Sequence, residues 1–477
     1  MNAGPVADAC ALDASSALRA YAVGDISPVD VISAHISRIN RLDGGLNAFV
    51  NLRADLAMAE ARASEARWHR GAPVGPLDGV PVSVKDLMAV AGMPMTAGSA
   101  RPWAVAVEDA EAVRRLRAAG AIVIGTNTLH EYAFGGTSVN AHVGTPRNPR
   151  DPSRIAGGSS GGSAAATAAG MAMAALGTET GNSIRRPASF CGVVGMKPTF
   201  GRVSRHGVVP LAPSLDHVGA FARTVPDVAL VIAAISGHDP RDVGSRHQPV
   251  NGPVGPRATD GLTIGVPRSM LRGIDPAIGS AFERALRAFA AAGANVRDVD
   301  LPLASRWTAL VSSIVMHAEA ATVHRSRFTS DPGSYGADVA ARLLSGHAFL
   351  GFGLVQALAM REAIGAEVSR ALARNGGVDA FVAPGVPGPP PVIAPGAFVP
   401  GDAPWSSEVG PFHLQRLPSM LGLPAGAAPA GWSSDGLPLP IQAFGRHWEE
   451  SIVLSVLMAG MESVPASEVR GIAGGAG

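Results

Sequence analysis

Two glycine-rich turns that carry serine, and one isolated lysine, hold the chemistry of this sequence. The turns are GGSSGG at 157–162 and GTETGNS at 177–183, and they place Ser159 and Ser183 24 residues apart. The glycines imply backbone with positive φ or close approach. A serine hydroxyl is a weak nucleophile at neutral pH unless a base takes its proton, and no histidine lies between Gly157 and Gly192. Lysine is scarce, since among 39 basic residues all but Lys85 and Lys197 are arginine. Arginine keeps its proton in a protein, whereas a buried lysine can lose it. Free lysine titrates at about 10.4, and burial without a counter-ion lowers that by up to about 3–5 units. These residue types point to a serine nucleophile with Lys85 as the base. Lys197 reads as a structural ammonium that bonds backbone carbonyls.

Two other readings of the same glycines fail on their context. Gly157 to Gly161 satisfies G-x-S-x-G, but a nucleophile elbow needs a strand leading into the turn, and here Pro146, Pro149 and Pro152 break up the approach. A phosphate-cradling loop needs G-x-x-x-x-G-K-[ST], and no lysine follows. Cys10 and Cys191 are the only cysteines and H-E-x-x-H is absent, so neither a disulfide framework nor a zinc site is expected. No metal and no organic cofactor is expected. Cys191, beside Phe190 and Val193, reads as a small buried hydrophobe.

The elements that must position these residues alternate. Ser27-Pro28 is a helix start, with Val31, Ile32, Ile36, Ile39 and Leu42 at helical spacing behind it. A second helix is expected over about 51–69, so residues 1–70 form a helical lead-in. GVPVSVKD reads as a short strand, 109–120 as a helix, AIVIG as a buried strand and 145–154 as a loop. The run 163–176, apolar on every side, reads as a buried helix that holds the two serine turns at its opposite ends. Strands at 262–266, 378–384 and 439–444, a helix over 276–292, and surface loops over 237–261 and 384–400 complete the pattern. Such alternation argues an α/β fold.

Composition narrows the partners. The formal net charge is +1 and charged residues make up 16%, without a basic run of the kind that tracks phosphates or anionic lipid. The expectation is a small-molecule amide, no nucleic acid and no membrane, with a homodimer left open. The first residues, MNAGPVADACALDASS, have neither a basic region nor an apolar core, and a cytoplasmic protein is expected.

GVPVSVKD, GGSSGGSAAA, GTETGNSIRRPASFCG, GMKPTFGRVSRHGVVPLAPSLDHVGAFART and, near the C-terminus, LGLPAGAAPAGWSSDGLPLPIQAFG together resemble the amidase signature family of Ser-cisSer-Lys amide hydrolases. The resemblance implies one α/β/α domain over 1–477 around a large mixed, mostly parallel β-sheet, with its catalytic core at 79–225 and the remainder of the domain at 226–477. It implies Lys85 as base, Ser159 as the bridging serine with a cis peptide, and Ser183 as nucleophile. Backbone N–H groups of Thr180, Gly181, Asn182 and Ser183 would form the oxyanion hole. Three positions depart from the commoner pattern. Glu179 stands for aspartate, Asn182 for glycine and Ser419 for asparagine, and these read as changes of pocket shape. Asn182 is expected to tolerate a left-handed turn. Arg185 is expected to buttress the turn through Glu179, and Tyr132 and Phe134 to line the substrate pocket.

Three functions fit these residues. The first is a stand-alone amidase on a small aliphatic or aryl amide. The second is the glutaminase (A) subunit of a tRNA-dependent amidotransferase, which works with partner chains. The third is a catalytically silent binding protein, against which the joint presence of Lys85, Ser159 and Ser183 argues.

Overall fold

The computed structural model describes residues 9–247, 255–256, 258–393 and 413–464. The expected loops at 237–261 and 384–400 lie partly outside these residues. The lead-in is helical as expected. The helix Pro28–Leu46 starts in a complete capping box between Ser27 and Asp30, which satisfies two amides that would otherwise lack partners. It is followed by a short strand, Phe49–Leu52, and the helix Ala54–His69.

One mixed sheet of eleven strands organises the molecule. From edge to edge it runs Phe49–Leu52, Ile122–Asn127, Pro81–Lys85, Ala174–Glu179, His217–Ala222, Val194–Lys197, Ala425–Trp432, Pro438–Gly445, Ala380–Pro384, Thr263–Val266 and Asn295–Asp298. Parallel pairing occupies two blocks. In one, Pro81–Lys85 sits between Ile122–Asn127 and Ala174–Glu179. In the other, Thr263–Val266 sits between Ala380–Pro384 and Asn295–Asp298. Antiparallel ladders join and flank the blocks. Helices cover the sheet, which is why its central strands are buried along their whole length.

The alanine-rich segment departs from expectation in the way that matters most for the site. The helix covers only Gly161–Ala168, and the chain then returns as the strand Ala174–Glu179. Gly170, with φ +64°, makes the reversal that a side chain would resist. The Ala169 carbonyl at the helix end accepts from Arg38 Nε at 2.5 Å. A continuous helix over 163–176 would have held the two serine turns roughly 20 Å apart at about 1.5 Å per residue. The return strand brings them together instead. Residues 171–176 contain no β-branched or aromatic side chain, so nothing in them marks a strand. The expected loop at 145–154 likewise contains a small hairpin, Arg147–Asn148 with Asp151–Ile155.

Among the described residues no single helix is long and apolar enough to cross a membrane. The bent pair 337–347 and 351–371, broken by 94°, passes that test only jointly.

The helix after the first serine turn packs with no slack. Gly162 donates its N–H to Thr128 O at 3.0 Å, and a Cβ there would lie 2.5 Å from Ala48 O and nearer still to Thr128 O. Gly162→Ala is therefore expected to cost about 2 kcal/mol or more, as overpacked sites do, read as a lower urea midpoint at unchanged slope. A variant as stable as the parent would show that the helix can shift away from the sheet.

Candidate active site

Lys85 ends a fully buried strand, and its neighbour Ala174–Glu179 runs parallel with Val84 opposite Leu176. The C-terminal ends of both strands therefore open on the same edge of the sheet, where open α/β sheets place their ligands. The Lys85 side chain is 0% exposed. Its Nζ donates to Ser159 Oγ at 2.7 Å and to Thr178 Oγ1 at 2.8 Å. No carboxylate among the described residues is within ion-pair distance of it. Burial holds the amine well below the ordinary lysine pKa, against the weaker upward pull of Asp216 and Glu179.

The Gly158–Ser159 peptide is cis. The Ser159 carbonyl accepts from His130 N at 3.0 Å and Ser138 Oγ at 3.1 Å, so the HEYAFGGTS tract clamps this turn. Ser160 ties the two serine turns together. Its N–H donates to Ser183 O at 3.3 Å and its hydroxyl to Thr178 O at 3.1 Å. Ser183 is buried at the rim of the site, 7% exposed. The structure thus joins Lys85 to Ser159 directly and brings Ser183 beside them, while the Ser183 hydroxyl bonds to no described residue. Such hydrogen bonds commonly tighten only when substrate is bound.

The second turn is built around a buried ion pair. Glu179 Oε2 accepts from Ile184 N at 3.0 Å and Arg185 N at 3.1 Å, and Oε1 from Arg185 Nε at 2.9 Å and Nη2 at 2.7 Å. Ser419 Oγ donates to the same Oε1 at 2.6 Å. Burial pushes the Glu179 carboxyl up, but Arg185 and Lys197 more than offset it and hold the group below the usual carboxylate range. Glu179 takes the amides of Ile184 and Arg185, so the N–H groups of Gly181, Asn182 and Ser183 stay without acceptors among the described residues. Thr180 is held by its hydroxyl, which donates to Asp216 at 2.6 Å.

Glu179 and Ser419, both fully buried, therefore shape the frame of the turn. Asn182 does not adopt the left-handed conformation. Its side chain lies 2.7 Å from that of Gln415. Tyr132 and Phe134 are core side chains. Tyr132 packs against Trp103, His324 and Tyr335, and Phe134 against His317. Lys197 donates to Pro198 O at 3.0 Å and Leu423 O at 2.6 Å, as its structural reading required. Cys191 is buried, which raises its thiol pKa. Sequence reasoning misses Thr178, Ser138 and Asp216. Their contacts with the site depend on strand register and loop packing, which no spacing reveals. Among the described residues no three His, Cys, Asp or Glu side chains cluster as a metal site.

The sequence profile named Amidase matches residues 30–454. The chain belongs to the amidase family. It is an amide-hydrolysing enzyme, and its mixed sheet matches a solved amidase at 35% identity with a TM-score of 0.83, over 94% of this chain and 99% of the other. Its sequence is also similar to that of the A subunit of glutamyl-tRNA(Gln) amidotransferase. The match to the Anaeromyxobacter dehalogenans protein is 47% identical over 302 residues, spanning 62% of this chain and 61% of that relative. The match to the Koribacter versatilis protein is 36% identical over 90% of this chain and 93% of the relative.

These relatives overturn the expectation of a small-molecule amide with no nucleic acid, because they are subunits of an enzyme named for a transfer RNA. The physical reason is that charge runs report only the phosphate contacts a chain makes itself. They are silent about what partner subunits hold.

The ion pair sets a stability test for this amidase-family site. Glu179→Gln leaves the fully buried Arg185 guanidinium without its counter-charge, and breaking a buried pair in this way costs about 3–5 kcal/mol. Chemical denaturation is expected to show that loss, and a variant of parental stability would contradict the buttress.

Proposed function

We propose that this chain is the amide-hydrolysing component of a tRNA-dependent amidotransferase, releasing ammonia from a carboxamide through an acyl-Ser183 intermediate. The observation that carries the chemistry is Lys85, buried, without a carboxylate partner among the described residues and hydrogen-bonded to Ser159. In its neutral form the Lys85 amine draws the proton of Ser159, which draws that of Ser183. Ser183 Oγ attacks the carboxamide carbon, and the negative oxygen meets the unpartnered amides of Gly181, Asn182 and Ser183. The proton returns through Ser159 to the leaving nitrogen, the C–N bond breaks and ammonia departs. Water then attacks the ester by the same relay, releasing the carboxylate and restoring Ser183.

Membership of a multi-chain amidotransferase is supported by the Koribacter relative, matched over 93% of its length. The solved amidase at 35% identity favours a second reading, an amidase that acts alone.

The test is ammonia release from glutamine by the chain alone and after co-expression with the other amidotransferase subunits. The expected result is turnover that rises with the partner subunits and is abolished in a folded Ser183→Ala variant. Full activity of Ser183→Ala would sink the nucleophile. Efficient hydrolysis of other amides, with no response to the partners, would sink the amidotransferase reading.

A further inference from the structure

The tract 130–138 that clamps the Ser159 turn does not hold its own shape. Tyr132, Ala133 and Ser138 have φ of +50°, +58° and +59°, half of the six non-glycine residues at positive φ among the described residues. Such backbone is costly for a residue with a side chain and persists only where its surroundings impose it. The tract also fits closely against the turn. A Cβ on Gly158 would lie 2.6 Å from Ser138 N, so a shift of the tract is passed on to the turn.

The polar support of the tract comes from the first turn of the helix Ala337–His347. Gly336 N donates to Glu131 Oε2 at 2.8 Å, and Asp338 Oδ2 lies 2.9 Å from His130 Nε2. Burial pushes the Asp338 carboxyl up, but His130 and Arg342 more than offset it and hold the group below the usual carboxylate range. An ionised carboxylate only accepts, so His130 Nε2 carries the proton and donates it. In the neutral ring Nδ1 is then an acceptor. The Thr137 hydroxyl, 3.4 Å away, donates to it and accepts from Val139 N at 3.2 Å.

Asp338 thus fixes both the tautomer and the direction of an imidazole that is itself 3% exposed. That ring presses on Gly135, where a Cβ would collide with it. The backbone N–H of the same histidine donates to Ser159 O at 3.0 Å. A half-buried carboxylate at the surface is in this way two hydrogen bonds from the Ser159 turn.

We propose that Asp338 is a positioning residue for the proton relay, and that by orienting His130 it sets where Ser159 stands between Lys85 and Ser183. The inference rests on Ser159 as the relay serine of the proposed function. Ser159 Oγ is 2.7 Å from Lys85 Nζ, and a misplacement of about 1 Å at such a contact can cost about a hundredfold in rate. Ser138 Oγ still holds the Ser159 carbonyl at 3.1 Å when Asp338 is removed, so the expected loss is partial.

The test is the kinetics of folded, full-length variants on a carboxamide that the parent hydrolyses. Asp338→Ala is expected to lower kcat about tenfold at unchanged KM, below the roughly 10²–10⁴ of a direct proton-transfer group. Asp338→Asn keeps an oxygen that accepts from Nε2 and is expected to recover most of the loss. Both variants give up a carboxylate at a helix N-terminus, so a merely structural role would lower their urea midpoints alike and leave kcat parental. His130→Phe is expected to lose as much as Asp338→Ala, and the double variant no more than either, as residues acting through one contact do. A parental kcat in Asp338→Ala, an asparagine variant as slow as the alanine one, or additive losses in the double variant would overturn the proposal. If Ser159 is not the relay serine, Ser159→Ala keeps near-parental turnover, whereas an inactive Ser159→Ala beside a parental Asp338→Ala defeats the positioning role alone.

Discussion

An ammonium group removed from water with no carboxylate beside it is more stable as the neutral amine, and Lys85 is held in that situation by the sheet itself. Its strand lies between two parallel neighbours, buried at every position, so the side chain emerges where water does not reach. What it meets there is two hydroxyls, Ser159 and Thr178. A hydroxyl can accept from an amine or donate to it, so these contacts serve either protonation state. A carboxylate in the same place would fix the charge. The other features of the site, the clamped cis turn and the return of the chain at Gly170, bring hydroxyls to an amine that the sheet has already desolvated.

The neighbouring buried charges show the contrast. Glu179 and Arg185 neutralise each other at contact distance, Glu179 takes the amides of Ile184 and Arg185 in the Ser183 turn, and Arg185 reaches across to Gln442 and Gln415. Their pairing keeps charge in the interior and gives the turn its shape, while the amides of Gly181, Asn182 and Ser183 stay without acceptors among the described residues. Lys197, held by carbonyls, is drawn down to about 7 by burial, yet it touches no serine among the described residues. Three buried charged side chains thus serve as frame, while Lys85, the base in the proposed function, meets hydroxyls, and what separates them is the partner each one meets.

Much of this is legible in the residues. The scarcity of lysine singles out Lys85 and Lys197, and the two glycine-rich turns mark Ser159 and Ser183. Arg185 pairs with Glu179 as their closeness in sequence suggests. The segment 163–176 misleads because alanine and methionine fit a buried helix and a buried strand alike, and only Gly170 carries a hint of the reversal. The roles of Glu179 and Ser419 escape pattern for a related reason. The two meet through a contact 240 residues apart in the chain, which local sequence cannot show. Partners are misjudged from composition because it describes one chain and not an assembly.

The account depends on Lys85 acting as a neutral amine, and the direct measurement is the pH dependence of amide hydrolysis by the parent and by Lys85→Arg, with circular dichroism to establish folding. The parent rate is expected to rise with pH along an ionisation below the free lysine value of about 10.4, because the deprotonated amine is the active form. That ionisation belongs to the coupled triad as a whole. Arginine cannot give up its proton, so Lys85→Arg is expected to lose at least about a hundredfold, within the range of a general base. A folded Lys85→Arg enzyme with near-parental turnover and an unchanged profile would contradict the account.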